Sequence, residues 1–101
     1  MREIWKYELE VADVQKIWMT KGAEILHVAG QEKSSLSQGH AYFGVFPMLW
    51  ALIDPGAERV QRLIAVVGSG NPAPSEEDSA KYVGTAICGM MVWHVFDGGE
   101  L

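Results

Sequence analysis

The sequence predicts an all-β domain, a small sandwich or partly open barrel of about seven, mainly antiparallel, strands. Three observations carry that expectation. Apolar and polar residues alternate with period two in several short runs, turn signals built from Gly, Pro, Asn and Asp separate them, and no segment shows the i, i+3, i+4, i+7 apolar stripe of an amphipathic helix. At 101 residues the chain is read as a single domain, 1–101, large enough to bury a core without disulfides or metals.

The first run, Ile4 to Glu10, sets Trp5, Tyr7 and Leu9 on one face and Lys6, Glu8 and Glu10 on the other, as in a half-buried strand. Val14 to Met19 alternates less cleanly and leaves Trp18 on the face opposite Ile17 and Met19. Lys21-Gly22 supplies a turn, and Glu24 to Ala29 forms a third strand. From Gly30 to Gly44 the chain is polar, Ser-rich and aperiodic, which predicts an inserted loop at 31–47 ending in the aromatics Tyr42, Phe43 and Phe46. Met48 to Ile53 is a continuous apolar run, read as a central strand buried on both faces. Asp54-Pro55-Gly56 then turns the chain into a hairpin with Arg59 to Val67. A second loop, Gly68 to Asp78, holds two prolines and three acids, and is read as a wide hairpin connection. Tyr82 to Cys88 and Met90 to Phe96 flank Gly89 and close the domain with a hairpin. The expected core is Trp5, Leu9, Ile17, Leu26, Leu49, Ala51, Ile53, Ile64, Val66, Ile87, Val92 and Val95, with Trp50 and Trp93 also assigned to it.

Composition narrows the function. A net charge of −5 with only eight Lys and Arg, scattered along the chain, argues against nucleic-acid binding, which needs a basic patch to displace counterions. No run reaches the length of a transmembrane segment and the N-terminus lacks a signal-peptide core, so a soluble protein of the cytoplasm, with no membrane partner, is expected. The lone Cys88 fits a reducing compartment and is read as a small buried apolar side chain. His27, His40 and His94 fall in separate segments without metal-ligand spacing, so neither a metal nor a cofactor is expected.

Candidate chemistry centres on Gly68-Ser69-Gly70-Asn71, which follows a strand as a phosphate loop would. It lacks the Lys-Ser/Thr of a Walker loop, and Pro72 and Pro74 forbid the helix that phosphate-binding motifs place next. Two readings stay open, a plain turn and a backbone nest that holds a small anion with help from Arg59 or Arg62. The hydroxyls of Ser69, Thr85 and Ser34, Ser35 and Ser37 stand in no Gly-x-Ser-x-Gly elbow and beside no base in sequence, so no catalytic residue is assigned and a non-enzymatic protein is expected. Four tryptophans in the chain, with Trp18 turned outward, suggest a contact surface formed by Trp18, Tyr42, Phe43 and Phe46.

With these strands placed, the stretches "KYELEVADVQKIWMTKGAEILHV", "LWALIDP", "VVGSGNP" and "YVGTAICGMMVWHVFD" resemble an all-β family of unknown function encoded by tailed bacteriophages and prophage-bearing bacteria. The match covers most of the chain and implies an origin more than an activity. Relative to that pattern, Gln31 to Phe46 is inserted where a short turn is usual, Thr20 stands where proline is common, and Asn71 replaces a histidine that often precedes the loop proline. The expected function is a small non-enzymatic binding protein of phage type in the host-cell cytoplasm, sequestering a small anionic, nucleotide-like signal in counter-defence. The alternative is a protein-contact module, an inhibitor of a host protein or a virion assembly accessory. Unpaired strand edges and exposed apolar residues further predict a homo-oligomer.

Overall fold

A computed structural model describes residues 1–37, 39–75 and 80–101. Seven antiparallel strands form two stacked sheets: β1 (Glu3–Glu8), β2 (Val14–Thr20), β3 (Glu24–Ser37), β4 (His40–Ile53), β5 (Arg59–Gly68), β6 (Lys81–Cys88) and β7 (Met91–Glu100). The three-stranded sheet has the order β1-β4-β3 and the four-stranded sheet the order β2-β5-β7-β6. No described segment is helical, and none therefore forms a helix long and apolar enough to cross a membrane. The architecture is the sandwich of the sequence-based expectation, without barrel closure.

The core lies where the two inner faces meet. Leu49, Ala51 and Ile53 of β4 point in from one sheet, and Ile64 and Val66 of β5 with Val95 of β7 point in from the other. Trp5, Tyr7 and Ile17 pack against this cluster as the period-two reading requires. Leu26 and Ile87 do not belong to it: they are 45% and 68% exposed. The ladder of β3 shifts register between Ile25 and His27, so the bulge turns Leu26 out and lets Ile25 pack inward instead. In β6 a bulge between Tyr82 and Gly84 leaves Ala86 and Cys88, not Ile87, on the buried side. Trp93 packs against the core, whereas Trp50 is half-buried and its ring sits 5.9 Å from that of His27.

The segment at 31–47 is not a loop. Residues 31–37 continue β3 and 40–47 belong to β4, paired from Gln31↔Phe46 out to Ser37↔His40. Nor does Asp54-Pro55-Gly56 close a hairpin, because β4 and β5 lie in different sheets. The turn, fastened by Gly56 N–H donating to Asp54 Oδ1 at 2.9 Å, carries the chain across the sandwich.

One side of the sandwich is closed by the approach of β3 to β6. A Cβ at Gly30 would stand 2.2 Å from the Ile87 carbonyl oxygen, and one at Gly84 would stand 2.7 Å from Val28 Cβ. Both distances lie well inside van der Waals contact, so glycine at each position is what allows the two edges to meet.

The connection from β5 to β6 positions the candidate site. Both strands run antiparallel to β7, which lies between them, so they are parallel to each other. The chain leaving Gly68 must therefore travel back along the sheet before β6 can start. Lys81 faces Asp97, and Asp97 faces Ile64, so the return covers four rungs, about 13 Å. The inner face is occupied by the other sheet, and the connection passes over the outer face. This is a crossover, not the wide hairpin that the sequence suggests.

Candidate functional site

Leu63, Ala65 and Val67 alternate with the buried Ile64 and Val66 and thus face outward. Over them lie Asn71, Pro72, Ala73 and Pro74 of the crossover, forming with Val14 of β2 a half-open cavity of about 650 Å³. Prolines suit a segment that crosses a sheet without joining its ladder, since they have no N–H to leave unpaired. The walls are aliphatic, with Asp13 and Asn71 supplying polar groups. The acidic run Glu76, Glu77, Asp78 lies outside the described residues.

Gly68 to Asn71 is a tight turn. The Asn71 N–H donates to the Gly68 carbonyl at 3.1 Å, and Gly70 takes a φ of 88°, the left-handed value that the third position of a type II turn requires. With that N–H engaged inside the turn, fewer amides remain for a backbone nest. Gly68 opposes Trp93, and a Cβ there would meet its ring at 3.2 Å.

The turn presents Ser69 to His94. Ser69 Oγ is 2.8 Å from His94 Nε2, Thr85 Oγ1 is 3.1 Å from His94 Nδ1, and the Tyr82 hydroxyl is 2.5 Å from Thr85 Oγ1. A neutral imidazole has one donor and one acceptor nitrogen, so the four groups form a directional relay. In one direction the Ser69 hydroxyl donates to Nε2, Nδ1–H donates to Thr85, and Thr85 donates to Tyr82. In the other, every bond reverses. His94 is Val67's partner across β5 and β7 and Thr85's across β7 and β6, which puts the relay on the cavity's face of the sheet at the Val67 end. Both ring nitrogens of His94 are met by hydroxyls, and Ser69 does have a base beside it.

The two arginines expected to aid an anion stand elsewhere. Arg59 opens β5, nine residues before Gly68 and about 30 Å from it along the strand. Arg62 pairs with Asp97, its NH2 2.6 Å from Oδ2 and its Nε 3.0 Å from Oδ1, while NH1 donates to the Ala23 carbonyl. Its hydrogen bond to Asp97 raises the Arg62 pKa further. Burial pushes the Asp97 carboxyl up, but the Arg62 bond, the Gly99 N–H and the charges of Arg62 and Lys81 outweigh this and hold it below its ordinary value. Arg62 is thus a structural clamp joining β5, β7 and the β2–β3 turn.

The expected contact residues also separate. Trp18 is 58% and Phe43 87% exposed. Phe46 is half-buried, its ring laid over Gly44 beside a hollow it shares with Leu9 and Val11. The side chain of Tyr42 lies outside what the structure describes. Trp18 belongs to the four-stranded sheet, and Phe43 and Phe46 to β4 of the three-stranded one.

Fold and site together define a small two-sheet β-sandwich whose outer face carries a roofed apolar cavity with a hydroxyl–imidazole relay at one end. The chain belongs to the family described as Domain of unknown function (DUF7352), whose model matches residues 1–100. No curated protein and no solved structure matches it.

Proposed function

We propose that the protein is a small binding protein that takes a nucleoside-like ligand, its flat apolar body seated in the cavity between β5 and the crossover. One observation carries the reading: about 650 Å³ of space lined mainly by aliphatic side chains, within the range of small-molecule sites. Ser69, His94 and Asn71 would meet the ligand's polar edge. Asp13 lines the same space and neither Arg59 nor Arg62 reaches it, so a phosphate on such a ligand belongs at the solvent side of the Gly68–Asn71 turn. Phage or prophage origin, a counter-defence role and a cytoplasmic location are the setting in which a non-enzymatic sequestering protein of this kind makes sense, and the sequence resemblance supports that setting.

Titration calorimetry with purine nucleosides and their cyclic dinucleotides tests the proposal. Ala65→Phe fills the cavity from the outer face without entering the core, and is expected to abolish the heat while the circular dichroism spectrum stays unchanged. Absence of heat for the unmutated chain with every member of the series sinks the reading. A second reading, a protein-contact module, rests on the exposure of Phe43 and Trp18. It predicts that Phe43→Ser and Trp18→Ser, rather than Ala65→Phe, remove activity in the cell.

A further inference from the structure

We infer that Ser69 is a reactive nucleophile, with His94 as its general base, and accepts an acyl group from activated esters and thioesters. The inference rests on the relay geometry and does not require the cavity to hold the ligand proposed above. A serine hydroxyl is a poor nucleophile until a base stands within hydrogen-bond reach of its proton. Here the base stands 2.8 Å away, and its far nitrogen is held by a second hydroxyl at 3.1 Å. With Nδ1–H donating to Thr85, the Nε2 lone pair faces Ser69, the tautomer that proton abstraction needs. Tyr82 fixes the Thr85 hydroxyl in turn. Thr85 and Tyr82 are positioning residues.

Ser69 lies exposed on its turn, where an acyl donor can approach. In the reaction, Ser69 Oγ bonds to the donor's carbonyl carbon while the hydroxyl proton passes to His94 Nε2. The tetrahedral adduct then breaks its bond to the leaving alcohol or thiol, which takes that proton from Nε2. Acyl-Ser69 and a free alcohol or thiol result, with no change of oxidation state. The Gly70 N–H, next in the chain after the nucleophile, has no partner among the described residues and is the donor available to the adduct's oxygen. A neutral threonine stabilises an imidazolium less than a carboxylate would, which slows both half-reactions, and because an activated leaving group departs more readily than water attacks the acyl-serine, the acyl form accumulates.

The test is to incubate the full chain with p-nitrophenyl acetate, follow p-nitrophenolate release, and map acetylation by peptide mass spectrometry. One equivalent of p-nitrophenolate per chain is expected, with the acetyl group on the peptide that contains Ser69. Ser69→Ala, an exposed change in a turn, should eliminate that adduct. His94→Gln should slow its formation about a hundredfold, the lower range for general-base assistance. Thr85→Val should slow it about tenfold, and Thr85→Ser should restore it, which a merely structural role would not predict. Acetylation confined to lysines, or a burst that survives in Ser69→Ala, overturns the inference. So does labelling of Ser69 at the same rate in His94→Gln or Thr85→Val.

Discussion

A buried hydroxyl and a partly buried carboxylate show at the residue scale how partners decide the value of a side chain. Thr20 is 2% exposed and its Oγ1 has no hydrogen-bond partner among the described residues, so the hydroxyl has lost water and gained nothing. Thr20→Val keeps the shape and removes the unpaired group, and is expected to raise stability by about 1 kcal/mol in urea unfolding. A destabilised variant would mean that the hydroxyl has a partner. Asp97 is the opposite case, engaged by Arg62 at 2.6 Å and by the Gly99 N–H at 2.9 Å. Asp97→Asn leaves the Arg62 charge without its counter-ion and should cost about 3 kcal/mol. Because the folded carboxyl titrates below its ordinary value, its contribution is fully present above about pH 4 and is lost as the pH falls through the folded pKa. The difference in stability between wild type and Asp97→Asn should accordingly shrink on acidification below about pH 4. A difference that stays constant from pH 7 to pH 2 would exclude the ion pair as its source.

At the scale of elements, the sequence was legible where one face of a strand is buried and the other wet. Trp5 and Tyr7 against Lys6 and Glu8 read directly as β1. The outer half of the β3–β4 hairpin was misread because period two is the imprint of a single buried face. Ser34, Ser35 and Ser37 with Gly39 and Gly44 carry no such imprint, so no alternation marks the paired register there. Bulges erased the signal at Leu26 by shifting parity within the strand. In β6 the inward residues are small, Gly84, Ala86 and Cys88, because β3 crosses closely there, so hydrophobicity pointed to the larger Ile87 beside them. The Ser69–His94 contact was invisible for a different reason: it spans 25 residues and depends on β7 lying next to β5, an order that no local pattern encodes. The close β3–β6 approach makes a prediction against habit. Gly→Ala at a compatible site usually stabilises by about 0.4–1 kcal/mol through the unfolded chain, but at Gly30 the added methyl meets the Ile87 carbonyl at 2.2 Å. Overpacking against backbone should win, and Gly30→Ala is expected to lose about 2–3 kcal/mol. A melting temperature equal to or above that of wild type would show that the two edges do not pack this tightly.

At the scale of the whole molecule, the β3–β4 hairpin runs on beyond the residues that form the buried cluster. Val28, Leu49 and Ala51 supply the inner face of the three-stranded sheet, whereas Phe43 near the hairpin's end is 87% exposed. Strands β1 and β2 end their sheets, and β2 presents Trp18 beside its free edge. Free edges and exposed aromatic side chains are commonly covered by a second copy related by a two-fold axis. The expected outcome is therefore a dimer in solution with the hairpin as its arm. Lys33 and Gly44 are direct partners, and since Pro47 turns its carbonyl to Leu9 alternation makes them a hydrogen-bonded pair, so replacing residues 34–43 with Asn-Gly should close a two-residue hairpin at the native register. That change keeps Lys33 and its exposed ion pair with Glu8 and removes no residue of the buried cluster. The shortened chain should therefore melt within a few degrees of wild type at low micromolar concentration yet run as a monomer in light scattering. A wild-type chain that is already monomeric at high micromolar concentration removes the arm's proposed role. A shortened chain that still dimerises shifts the interface to the β2 edge, where Trp18→Ser becomes the deciding variant.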